Sequence, residues 1–153
     1  MTGKRRVWSS VLDGVGCAVV LQLLAEYACS VYLFAVEADF ERDMVQLSVL
    51  CVICAVLSAA AFWRLICRER DDGWLLARFA ISAVGAGVSY GVILLVLKLV
   101  LRVSLLPLRP LGNADGLIIL WAAAMFTTTS FVLRLLVGLV QLLANRRRRK
   151  HAK

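Results

Sequence analysis

Four long apolar runs, separated by short charged connections, set the pattern of this 153-residue chain. They cover about residues 11–36, 44–67, 74–98 and 116–143. A bilayer core takes about 20 consecutive apolar residues in helical form, and each run is long enough. The pattern predicts an all-α integral membrane protein. It would be a bundle of four transmembrane helices in one domain, residues 1–145, with a basic tail at 146–153.

Within each run, polar or small residues recur at helical spacing. Run 1 has Gln22, Glu26 and Ser30; run 2 has Ser48, Cys51, Ala55 and Ser58. Run 3 has Arg78, Ser82, Gly85 and Ser89; run 4 has Thr127, Ser130, Arg134, Gly138 and Gln141. Steps of three and four lie on one helix face. In lipid, helices associate through small residues and interhelical hydrogen bonds, so these stripes are expected to face one another. Run 3 carries a second small face, Ala83, Gly87 and Gly91, spaced four apart. That face is free to meet a partner helix or a second copy.

Charge then orients the bundle. With both termini cytoplasmic, fourteen of the eighteen bases fall on the inner side, counting Arg134 as reaching downward. The opposite orientation would violate the positive-inside preference. Trp8, Trp63 and Trp74 fall at the same inner boundary, where interfacial aromatics sit. The outer connections are opposite in sign. Glu37, Asp39, Glu41 and Asp43 stand in the first, and Lys98, Arg102 and Arg109 in the third. They are expected to lie close together.

Composition agrees. Hydrophobic residues make up 61%, well above the 45–50% of ordinary soluble domains. The net charge of +8 would suggest nucleic acid in a soluble protein. Here six bases sit in the last eight residues, just after a span. They are accounted for by topology and by contact with anionic lipid, so no nucleic-acid partner is expected. The tail bases Arg146, Arg147, Arg148, Arg149 and Lys150 also resemble arginine-based retention signals of the endoplasmic reticulum. That membrane or another endomembrane is favoured, with the plasma membrane second.

Two charges fall deep inside the runs and need a partner, because a bare charge at mid-bilayer costs roughly 2.5–3.5 kcal/mol. Counting inward from the run ends, Glu26 and Arg134 are expected to meet as an intramembrane ion pair, with Gln22, Thr127 and Ser130 around it. Asp13, nearer the inner end, is expected to cluster with Arg64 and Arg78. Of five cysteines, Cys51 and Cys54 form a CxxC. Four-span thiol oxidoreductases of the vitamin-K-epoxide-reductase type carry such a motif, but with a second cysteine pair in an outer loop, which this chain lacks. Small core residues are the plainer account. Cys67, at the inner end of run 2 beside bases, is a candidate for palmitoylation. No catalytic triad, phosphate-binding glycine loop or metal-ligand cluster is present in the sequence, and neither cofactor nor metal is expected. The expected role is a non-enzymatic subunit, assembly factor or accessory of a larger membrane complex, or a homo-oligomer. The second reading is a small transporter, channel or lipid-handling protein working through Glu26 and Arg134.

Overall fold

The computed structural model describes residues 3–34, 40–67, 69–99 and 113–151. They form four helices: α1 (Gly3–Phe34), α2 (Phe40–Ile66), α3 (Asp72–Leu99) and α4 (Asn113–His151). All four are long and apolar enough to cross a membrane.

Helix ends follow local chemistry. Asp71 caps α3 by accepting the Gly73 amide at 3.0 Å, and Asp72 stands in the first turn, where the helix dipole favours an acid. α2 begins with Glu41 and Asp43 and ends with Arg64, so both ends suit the dipole. α1 starts at Gly3, eight residues before the first apolar run. Ser9 and Ser10 turn their hydroxyls back onto the Arg6 carbonyl, each at 2.9 Å. With those hydroxyls satisfied inside the helix, α1 runs unbroken through Ser9 and Ser10.

α1 packs chiefly on α3, and α2 chiefly on α4; α1 also runs along α4. α2 and α3 are joined by a tight turn yet touch mainly near that turn. Small side chains set the spacing. Ala28, Cys51, Ala55 and Ala122 are fully buried among Leu24, Leu47, Ile118 and Phe126. Close helix approach of this kind is how membrane bundles gain dispersion contact. Phe79 of α3 meets Phe62 of α2 and Phe131 of α4 edge-on, with ring centroids 6.2 and 5.3 Å away.

The start of α1, the α2–α3 turn and the end of α4 share one end of the bundle. Arg6 pairs with Glu69 at 3.3 Å, Gln141 donates to the Cys67 carbonyl at 3.2 Å, and Arg149 pairs with Asp72 at 3.3 Å. The bases of the expected contact between outer connections lie outside the residues whose side chains are described.

Candidate functional site: a buried arginine clamp

Arg134 lies eleven residues before Asn145 in α4, which places it about 16 Å above the polar end of the bundle. It is buried, and its partner is Asp13 of α1. Nη1 donates to Asp13 Oδ2 at 2.5 Å and Nη2 to Oδ1 at 3.1 Å, a two-pronged pair. Nη1 also donates to Ser82 Oγ of α3 at 3.0 Å. Nε donates to Ser58 Oγ of α2 at 3.0 Å, and Nη2 reaches Ser58 Oγ at 2.8 Å and the Cys17 sulfur at 2.8 Å. The Phe62 ring lies under the guanidinium, 5.0 Å from its carbon. Ser82 donates in turn to Asp13, and Ser130 shares a hydrogen bond with Ser58 at 3.2 Å. One arginine of α4 thus touches side chains from each of the other three helices.

The backbone makes this meeting possible at Gly14. A Cβ there would sit 2.6 Å from the Ser82 carbonyl oxygen and 2.7 Å from the Ala86 nitrogen. Only a residue without a side chain allows α1 and α3 to cross so closely. That crossing carries Ser82 to the carboxylate of the preceding residue.

A guanidinium has five N–H donors, and all five point at acceptors here. Both carboxylate oxygens of Asp13 are occupied as well. A charge taken out of water is tolerable when its geometry is this complete. The clamp therefore keeps no donor in reserve for a passing anion.

The structure corrects two expected pairings. Glu26 does not meet Arg134: it lies thirteen residues from Asp13 along α1, about 20 Å. It is exposed near the other end of the helix, and its carboxylate accepts from Gln22 at 2.9 Å. The reason is the earlier start of α1, which raises Glu26 and brings Asp13 to mid-depth. Gln22 is buried, and its Oε1 has no hydrogen-bond partner among the described residues. Asp13 likewise does not join Arg64 and Arg78. Arg64 is exposed, while Arg78 is buried beside Glu69 at 3.4 Å and donates to the Leu65 carbonyl at 2.6 Å.

Of the residues expected around the pair, Ser130 is there. Thr127 is exposed and turns its hydroxyl back to the Ala123 carbonyl at 2.6 Å. Asp13, Ser58, Ser82 and Cys17 were missed as partners. Ser58 and Ser82 were already legible as members of stripes; Asp13 was hidden by its place near a run end.

A second polar set locks the bundle's end. Glu69, in the α2–α3 turn, is only 6% exposed and pairs with Arg6 and Arg78. Its carbonyl accepts from Asn145 at 3.1 Å and from Gln141 at 3.3 Å. Arg146, Arg147, Arg148 and Lys150 are exposed on α4, which continues as helix to His151. Arg149 donates to the Arg70 carbonyl at 3.0 Å. Cys67 is part-exposed at this end, and its thiol rests on the Arg64 carbonyl at 3.4 Å. In the CxxC, Cys51 is buried against α4 and Cys54 is half-buried. Among the described residues, no base is a partner of either.

Ala83, Gly87 and Gly91 face outward on α3. Nothing stands within 4 Å of where a Cβ would sit on Gly87 or Gly91. Beside them a cleft of about 300 Å³ opens among α1, α3 and α4, with Ser82, Ser130 and Arg134 in its wall. No protein-family model, no curated protein and no solved structure matches this chain.

Proposed function

We propose that this chain is a non-enzymatic subunit, assembly factor or accessory of a larger membrane complex. Its basic end would face the cytoplasm of an endoplasmic-reticulum or related membrane. The observation that carries this reading is the contrast between a closed interior and an open α3. Inside, the deep charges Arg134 and Asp13 spend their hydrogen bonds on each other and on neighbouring helices. This favours a load-holding role over passage of a solute. Outside, only 6% of the apolar stretch of α3 is buried within the bundle, against 17–28% for the other three. Its bare glycines offer the close approach that a partner helix uses.

The orientation rests on charge. Arg6, Arg64, Arg70, Arg78 and the bases of 146–150 gather at one end, and positive-inside preference puts that end in the cytoplasm. Each exposed base near an anionic leaflet adds about 1 kcal/mol of attraction.

The test is purification of the tagged full chain in a mild detergent. A stoichiometric membrane partner, lost in Gly87→Leu/Gly91→Leu, is expected. Glu26-dependent ion or solute flux in liposomes, with no partner recovered, would favour the transporter reading instead.

A further inference from the structure

The cleft beside the clamp has a depth, a shape and a chemistry that together specify an occupant. It runs along α3 from Phe79 to Tyr90, about 16 Å of helix. Measured from Asp72, those residues stand about 10 and 27 Å above the polar end. In a hydrocarbon core of about 30 Å, this interval straddles the midplane. Most of that interval is the province of hydrocarbon chains, and only its upper end approaches headgroups.

The walls are almost wholly apolar, with Leu21, Ala83, Gly87, Phe126 and Phe131 among the residues that form them. Most polar side chains lining it are already engaged: Arg134 with Asp13 and Ser58, Ser82 with Asp13, Ser130 with Ser58, and Thr127 with its own helix; the Tyr90 hydroxyl stands at the upper end. A ligand needing several hydrogen bonds would find few free partners below Tyr90. The volume of about 300 Å³ is about twice the ~150 Å³ apolar cavity that stays dry and accepts benzene.

The cleft is open to the side. α3 and α4 touch little, and Ala83, Gly87, Thr127 and Phe131 are exposed while also lining it. The opening therefore gives onto lipid. Gly87 keeps it clear, since a Cβ there would meet nothing within 4 Å.

We infer that this cleft binds a single hydrocarbon chain of a membrane lipid, taken in sideways between α3 and α4. The bound chain seals the flank of the Arg134–Asp13 pair against water. The inference concerns the chain with no protein partner on this face, since Gly87 also lies on the surface proposed for that partner.

The experiment uses the full chain in liposomes of phosphatidylcholine doped with a phosphatidylcholine whose acyl chain carries a diazirine near its terminal methyl. After irradiation, adducts are mapped by peptide mass spectrometry. Adducts at residues 79–90 and 126–134 should exceed those at the lipid-facing Val49, Leu57 and Val140 by about tenfold, a preference of about 1.4 kcal/mol. A diazirine next to the headgroup should give no such enrichment. Gly87→Phe should abolish the enrichment and leave control labelling unchanged, with helicity by circular dichroism confirming the fold. Equal labelling of cleft and control faces would overturn the inference, leaving ordinary contact with surrounding lipid. So would enrichment that survives Gly87→Phe, loss of labelling to a competing sterol, or protein–protein adducts in place of lipid ones.

Discussion

Arg134 of α4 grips Asp13 of α1 with both of its terminal nitrogens, at 2.5 and 3.1 Å. The two residues are 121 positions apart in the chain. Breaking such a buried pair from one side leaves a bare charge, at about 3–5 kcal/mol. Asp13→Asn and Arg134→Gln should each lower the unfolding free energy by amounts of that order. The double variant should lose clearly less than the sum of the two, because partners in contact are not additive. Glu26→Gln, about 20 Å along the helix, should change stability by less than about 0.5 kcal/mol, as surface substitutions do. Denaturant titration in mixed micelles reads all four variants.

Ser58 is the second test of the clamp. Its hydroxyl accepts from Nε and Nη2 of Arg134 at 3.0 and 2.8 Å. Ser58→Ala leaves part of a buried guanidinium without an acceptor, at a cost of about 1–3 kcal/mol. Ser48→Ala should cost much less, because that hydroxyl only bonds back to the Met44 carbonyl of its own helix. The difference between the two alanine variants in the same titration is the readout.

The crossing of α1 and α3 makes a prediction about glycines. Gly14→Ala places a methyl 2.6 Å from a carbonyl oxygen of α3, so the two helices must part. Overpacking of this kind costs about 1–3 kcal/mol, and the loss of Ser82 from Asp13 adds to it. At Gly85 the nearest atom, the Val11 carbonyl oxygen, stands at 3.6 Å. Gly85→Ala should be near neutral. Cysteine cross-linking between Val11 and Ala86 positions would show the parting directly, as a slower reaction in the Gly14→Ala background.

Glu69 anchors the other polar set. With Arg78 only 3% exposed, Glu69→Ala strips a buried base of its carboxylate and should cost about 3–5 kcal/mol. Arg78→Met in the same background should recover part of that loss. Proteolysis in the 67–72 turn is a second readout, expected to rise in Glu69→Ala and fall again in the double variant.

Thiol reactivity should follow burial. Cys51 is fully buried against α4, and Cys67 is part-exposed at the polar end. A membrane-impermeant maleimide added from the side of the tail should label Cys67 and spare Cys51. Fast labelling of Cys51 in the folded protein would remove the case for a purely structural CxxC.

Much of the bundle was legible in the residues, and the exceptions have one physical origin. Four apolar runs of sufficient length fix four helices, since the bilayer admits little else. Arg134 on a stripe with Ser130 and Gln141 announces an inward face and a missing acid. The acid is misidentified when depth along run 1 is counted from Leu12. Ser9 and Ser10 look like interface residues in sequence, yet their hydroxyls are spent on the Arg6 carbonyl. Moving the helix start by eight residues slides everything in α1 by about 12 Å. That slide takes Glu26 away from Arg134 and delivers Asp13. Glu69 escaped notice for a related reason. In a turn reading RERDDG, an acid among bases looks solvated, and only the ends of α1 and α4 folding over it bury it.

The 39 residues of α4 make a rod of about 58 Å, nearly twice the ~30 Å hydrocarbon core. Its last turns stand clear of the apolar layer, with successive arginines fanned around the axis at the helical step. A reader of these bases as an extended strand would first have to unwind the rod, against the grip of Asp72 on Arg149 at 3.3 Å. A reader of a helical surface, or a flat sheet of anionic headgroups, meets them ready-made.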